Sequence, residues 1–158
     1  MRETVKKFTH EIDGEELIFQ VHKMDALHGS FLLKFVAEKL LPLIDSFQTI
    51  FVDIDGEDEE EVAKKRTDAI MRVIPKALQS ISKEELFDFE RQCLNSVDIM
   101  MPAGWIEVMD GDHFSVEEVK YDPFLALILC FDVVTFNFSG FFGGKGLSSL
   151  LKPQLTSK

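Results

Sequence analysis

The sequence predicts an α+β fold that is predominantly α-helical, with an N-terminal β-hairpin packed on a bundle of about four to five helices. Three observations lead to this prediction. The chain has 158 residues and is 46% hydrophobic, which suits one domain with a real core. Its first 22 residues alternate between apolar and polar on either side of a turn signal. From residue 24 onwards, apolar residues recur mostly at helical spacing.

The expected organisation is a single domain over residues 1–142. Within it we expect the β-hairpin at 1–22, helices at 24–97, irregular structure or short strands at 98–121 and an apolar helix at 122–139. Residues 143–158 are expected to form a flexible C-terminal tail, because Gly143, Gly144 and Gly146 precede a short polar end.

The opening segment reads as two strands. Leu17, Phe19 and Val21 alternate with polar or smaller positions, which is the period of a half-buried strand. Asp13-Gly14 can supply the positive φ angles that a two-residue hairpin turn demands. Because an isolated hairpin is marginally stable in water, we expect it to pack on the helices that follow.

Three helical stretches are predicted in the middle of the chain. The first runs from Asp25 to about Phe51 and should split near Pro42, since proline removes a backbone donor. The second runs from about Glu60 to Ile81, with a bend at Pro75. Ser82 and Glu85 form a capping box that begins the third, which extends to about Asn95 with Val97 in helical register.

The stretch from residue 98 to residue 121 has mixed signals. Pro102-Ala103-Gly104 breaks any regular element, and Asp110-Gly111 is a turn signal. Because residues 105–109 alternate in between, the sequence permits a second short hairpin around residues 105–116.

The last helix is the most informative element. Asp122-Pro123 is an N-cap followed by proline at the first helical position, and residues 124–138 are apolar on nearly every side. Such a helix is either buried all round or covered by a partner, and complete burial by a chain of 158 residues is difficult. Its length of about 22 Å is too short to span a membrane. The candidate partner-binding residues are Phe124, Leu127, Phe131, Val134, Phe138, Phe141 and Phe142. That they form the domain's own core is the competing interpretation.

Composition and motifs argue against several functions. With 28 acidic and 17 basic residues, the net charge of −11 disfavours nucleic-acid binding. Two cysteines and a charged N-terminus suit a reducing cytoplasm. No nucleophile motif, phosphate loop or metal-ligand spacing is present, so we expect no enzyme activity, cofactor or metal. The acidic run at 53–61 fails the spacing of a calcium-binding loop and reads as a solvated loop.

The features at the end of the chain follow a familiar order. Val134-Thr135-Phe136-Asn137-Phe138 and Phe141-Phe142 are similar to the V-x-x-N-F-x-x-F-F ending of tail assembly chaperones of long-tailed bacteriophages. The resemblance extends to the opening hairpin and to Met24-Asp25-Ala26-Leu27 entering a helix. The acidic loop and the strand at Trp105 depart from the common pattern.

This resemblance implies a function in the host cytoplasm. Such chaperones bind apolar helical segments of the tape-measure protein and keep them soluble until tail-tube polymerisation. In many of these phages, a ribosomal frameshift adds a domain that recruits the tail-tube protein. Gly143-Gly144-Lys145 is compatible with slippery codons for such a frameshift. A homo-oligomer is also expected if the apolar helix pairs with itself when no client is present.

A second hypothesis is an acidic inhibitor or nucleic-acid mimic. In that case residues 53–61 would present carboxylates in place of phosphates. Binding of this kind weakens steeply with salt, whereas binding to an apolar client does not.

Overall fold

The computed structural model describes residues 3–43 and 59–143, and for residue 59 and residues 139–143 it describes the backbone. This part of the chain contains five α-helices and two antiparallel sheets, which confirms the predicted fold class. In chain order the elements are β1 (Val5–Ile12), β2 (Glu15–His22), α1 (Ala26–Phe35), α2 (Glu59–Ser80), α3 (Lys83–Leu94), β3 (Val97–Met101), β4 (Gly104–Glu107), β5 (Met109–Asp110), β6 (His113–Phe114), α4 (Glu117–Lys120) and α5 (Pro123–Gly143).

Local signals placed the turns and caps correctly. Asp13 and Gly14 have φ angles of 52° and 80°, as the predicted tight turn between β1 and β2 requires. The Ser82 hydroxyl accepts a hydrogen bond from the Glu85 backbone N–H at 3.2 Å and donates to the Glu85 carboxylate at 2.9 Å, so the capping box is confirmed.

The hairpin is one half of a larger sheet. The strand order is β1-β2-β3-β4, and all neighbouring strands are antiparallel. Phe19 pairs with Ile99 and Val21 with Val97, and these four side chains have no exposed surface. The helical register expected for Val97 is therefore wrong, because the helix ends at Leu94 and Val97 begins a strand.

The stretch 97–114 contains two hairpins. β3 and β4 are joined by a turn at Pro102-Ala103, where the sequence predicted a break in regular structure but no hairpin. The second short hairpin expected around 105–116 does form at Asp110-Gly111, but its strands β5 and β6 have two residues each. Trp105 belongs to β4 and so to the main sheet.

The helices cover the inner face of the sheet. After α1 the chain continues through a π-helical turn at Val36–Leu40 and a 3-10 turn at Leu41–Leu43, which confirms the predicted break near Pro42. Helix α2 runs through Pro75, and whether it bends there stays a prediction. Three expectations lie outside the described residues: the helix beyond residue 43, the solvated acidic loop up to residue 58 and the flexible tail from residue 144.

Helix α5 is the centre of the fold. It packs most closely on α3, and it also contacts α1, α4 and β2. Because the sheet lies on one side and helices lie on the others, an all-round apolar helix is satisfied within one domain. Complete burial by a chain of this size was expected to be difficult, but the described part of the helix is largely buried within its own domain, which favours the competing interpretation that these residues form the core. Its fully or nearly fully buried residues are Leu125, Ala126, Leu129, Cys130, Phe131, Asp132, Val133, Val134, Thr135, Phe136 and Phe138.

Candidate functional site: helix α5 and the apolar cleft beside it

The predicted partner-binding residues lie in unlike surroundings. Phe124 is 53% exposed, and Leu127, one turn further along α5, is half-buried. Phe131, Val134 and Phe138 lie in the domain's own core. The side chains of Phe141 and Phe142 lie outside the description. Among the stripe residues whose side chains are described, the first turn, with Phe124 and Leu127, is therefore the accessible part.

The start of α5 is fixed by its cap. The Asp122 carboxylate accepts a hydrogen bond from the Leu125 backbone N–H at 3.0 Å, and Pro123 follows as the first helical residue. This confirms the predicted helix start. The cap holds Phe124 at the surface in the first turn of the helix, where it lies on the same face as Leu127.

An apolar cleft runs beside this stripe, at the junction of α1, α2, α3 and α5. Its walls are apolar side chains, with Leu127 and Phe131 from α5 among them. Leu78 of α2, which is 55% exposed, forms part of its rim. The free volume is about 10 Å³, which is about enough for one water molecule. A bound helix therefore requires one of the surrounding helices to move. The lining residues are Phe35, Leu40, Ile74, Ala77, Leu78, Ile81, Leu86, Phe89, Leu127 and Phe131.

A buried polar network fastens α2 and β1 to α5. The Asp132 carboxylate has no exposed surface and lies 2.5 Å from His10 Nε2. It accepts a hydrogen bond from Arg66 Nη1 at 2.9 Å, and Arg66 Nη2 donates to Thr135 Oγ1 at 2.9 Å. The Thr135 hydroxyl in turn donates to the Phe131 carbonyl at 2.7 Å. Each carboxylate oxygen of Asp132 thus has a partner, as a buried charge requires.

The other end of α5 is anchored to the link between β2 and α1. Lys23 Nζ donates to the Phe136 carbonyl at 2.5 Å and lies 4.4 Å from the centre of the Phe136 ring. The Met24 backbone N–H donates to Asn137 Oδ1 at 3.0 Å. Asp132 and Asn137, two of the polar residues in this apolar helix, are therefore anchors within the domain.

Other exposed apolar side chains were missed by sequence reasoning. Leu27 and Phe31 are exposed on α1, one turn apart, and Phe87 is 56% exposed on α3. Met71 and Leu78 are exposed on α2. The signal for these exposed side chains that the sequence does contain is the presence of apolar residues outside the main apolar stripes of α1 and α3.

Within 3–43 and 59–143, no group of three or more His, Cys, Asp or Glu side chains is placed to hold a metal ion. Burial raises the pKa of the Cys130 thiol well above its usual value, and the neighbouring Cys93 thiol adds to this effect. The neutral thiol is a poor nucleophile. His10, His22 and His28 each pair with an aspartate, as expected of ordinary structural histidines.

No helix in the described ranges has both the length and the apolar character needed to cross a membrane.

The sequence matches the family model described as phage tail assembly chaperone protein, TAC, over residues 15–149. No curated protein sequence and no solved structure gives a significant match to the chain. The family match begins in β2 and continues past the last residue of α5, so it includes three of the four strands of the main sheet, the cleft and the central helix. The chain therefore belongs to the phage tail assembly chaperone family.

Proposed function

We propose that this chaperone binds apolar helical segments of the tape-measure protein and keeps them soluble in the host cytoplasm until the tail tube polymerises. It acts by binding, without catalysis. Membership of the family supports a role in tail assembly. The observation that carries the more specific proposal is the apolar cleft, which is lined on all sides by apolar side chains and opens beside Leu78.

The cleft has the character of a helix-binding groove. Helix α2 covers it with an amphipathic face, in which buried residues recur at helical spacing. The opposite face of α2 carries exposed Lys64, Lys65 and Arg72. A client helix with the same apolar stripe can make the contacts that α2 makes, which is the helix-in-groove mode of recognition. The buried residues of α2 are Ala69, Ile70, Val73, Ile74 and Ala77.

The small free volume of the cleft gives the order of events. Phe124 and Leu78 are accessible and supply the first contacts with the client. Helix α2 then moves aside, because among the described elements its backbone approaches most closely the turns at residues 36–43, which lie outside the sheet and the central helix. Phe131 at the cleft wall becomes part of the client surface at that step. Predicted partner-binding residues can thus lie in the core of the free protein and against the client in the complex.

Peptide binding tests this proposal. The probe is a synthetic helix from an apolar segment of the tape-measure protein, titrated into the full chain by calorimetry at low and high salt. We expect binding that persists at high salt, because apolar contacts are not screened. Phe124→Ala should weaken it by about tenfold or more. Phe87→Ala is the matched control, since Phe87 is equally exposed but lies at a different groove, formed with β5 and β6.

Equal effects of the two alanine variants would contradict the proposed site. Binding that disappears at high salt would contradict apolar recognition and would favour a charged partner instead.

We further propose that a frameshifted longer form recruits the tail-tube protein. Gly143-Gly144-Lys145, at and after the end of α5, is compatible with slippery codons. Reading the gene tests this, because codons that cannot re-pair after a one-base slip would exclude it.

A further inference from the structure

Among the described residues, the outer edge of β1 is a free strand edge. β1 has eight residues and lies at the end of the four-stranded sheet, where β2 is its one neighbour among the described strands. The hairpin closes with the pair Ile12 and Glu15, and the Lys23 N–H donates to the Thr4 carbonyl at 2.8 Å at the other end. The even-numbered residues of β1 therefore make the bonds to β2. The backbone N–H and C=O groups of Val5, Lys7, Thr9 and Glu11 point away from the sheet.

Charge makes this edge complementary to itself. In an antiparallel pair, directly opposed side chains lie on the same face of the sheet. When the two strands are identical copies, the numbers of opposed residues are therefore both odd or both even. The two-fold axis that relates the copies then passes through a single residue position. An axis at Thr9 places Lys7 of one copy opposite Glu11 of the other, twice, and matches the outward-pointing backbone groups. An axis at Phe8 would instead oppose Lys7 to Thr9 and Val5 to Glu11, with no opposite charges.

The outer face of the hairpin leaves a charge to be compensated. Glu11 lies directly opposite Glu16 of β2, and both are exposed. Like charges at opposed positions destabilise a strand pair. A lysine from a neighbouring strand would stand beside Glu11 on its other side and offset this repulsion. Lys7 has Gln20 opposite it on β2, and its Nζ lies 5.8 Å from the centre of the Trp105 ring. Because neither group carries a negative charge, the ammonium group of Lys7 can still pair with a carboxylate of the neighbouring copy.

We propose that two copies of this chain join through their β1 edges, with Thr9 on the two-fold axis and Lys7 opposite Glu11, in one eight-stranded sheet. This interface goes beyond the proposed client binding, because it uses the sheet edge and leaves the cleft between the helices free. It also differs from self-pairing of the apolar helix α5, which the domain already buries.

Charge exchange tests the register. Sedimentation equilibrium of the full chain over a concentration series should show a dimer. Lys7→Glu and Glu11→Lys, each alone, should raise the dimer dissociation constant by about tenfold or more, since each opposes like charges twice. A one-to-one mixture of these two variants should form a heterodimer, and the double variant K7E/E11K should recover the wild-type constant.

The matched control is Glu15→Lys, which makes the same charge change on β2 at an exposed position opposite Ile12. It should leave the dissociation constant within about threefold of wild type. Thr9→Pro removes the N–H that bonds across the axis and should abolish the dimer, whereas Thr9→Val keeps that N–H and the dimer. Circular dichroism checks that each variant is folded.

Three results would overturn the proposal. They are a wild-type chain that stays monomeric at all concentrations, a dimer unaffected by the single charge changes, and single variants whose mixture fails to associate. None of these results bears on peptide binding at the cleft, so the two proposals fail separately.

Discussion

At the level of single side chains, Asp132 is the most consequential polar group described. It stands without exposed surface in an apolar helix, and its partners His10 and Arg66 come from positions 122 and 66 residues away. Removing one member of a buried ionic network is costly, because the remaining charges lose their compensation. The network therefore ties the positions of β1, α2 and α5 to one another.

Asp132→Asn should lower the free energy of unfolding by about 3 kcal/mol, because it removes the buried carboxylate charge that Arg66 and His10 both contact. Asp98→Asn is the control. His22 Nε2 lies 2.6 Å from Asp98 Oδ2 on the outer face of the sheet, where His22 is 45% exposed. Solvent screening should hold its cost to about 1 kcal/mol or less. Urea unfolding of the two variants measures the difference, and equal losses would contradict this account of Asp132.

Glu90 gives a prediction about pH. Burial raises the pKa of its carboxyl above the ordinary value. The folded state then holds this proton more tightly than the unfolded state, so stability falls as pH rises from the ordinary carboxyl pKa through the raised one. Glu90→Gln removes this loss. The variant should match wild type near about pH 4 and be the more stable of the two near about pH 7.

Urea unfolding at both pH values measures this difference. Glu84→Gln is the control, since Glu84 is exposed in the first turn of the same helix. A gain from Glu90→Gln that is already present at the lower pH would contradict the titration of Glu90 as its cause.

Among the secondary-structure elements, α5 shows how residues of one apolar stripe can differ in their contribution to the free energy of unfolding. Phe131→Ala should cost about 3–5 kcal/mol, because it opens a cavity between α5 and the helices around it. Phe124→Ala, on the same face, should cost less than about 1 kcal/mol, since Phe124 is half in water. Thermal and urea unfolding distinguish them. Ending the chain at Tyr121 should abolish cooperative unfolding, because the core then loses its central helix.

The elements that sequence reasoning placed well depend on neighbours in the chain. Asp13-Gly14, the Ser82 box and the Asp122 cap act within a few residues, so their residue types predict them. The β2–β3 pairing cannot be predicted in this way, because its partners Phe19 and Ile99 are separated by about half of the chain. The apolar pattern of α5 is the same whether its cover comes from this domain or from another protein. Burial of Phe131 and Val134 thus required the arrangement of the sheet and helices to be known.

For the complete fold, α2 is the element that relates stability to the proposed function. It covers the cleft with apolar contacts and one ionic network, so opening has a free-energy cost. The apparent affinity for a client is its affinity for the open form multiplied by the fraction of molecules in which the cleft is open, so a small open fraction weakens binding. Any change that weakens the docking of α2 alone should therefore strengthen client binding, although it weakens the fold.

Ile74→Val tests this relation, because Ile74 lies on α2 at the cleft wall. It should cost about 1 kcal/mol of stability, tighten tape-measure peptide binding by up to about fivefold and speed amide hydrogen exchange in α2. Ile99→Val is the matched control, since Ile99 is equally buried in β3, away from α2. It should cost a similar amount of stability and leave both peptide affinity and α2 exchange unchanged. If both variants tightened binding equally, global loosening would be the cause and α2 would not be the cover. If neither did while α2 exchange rose, the client would bind outside the cleft.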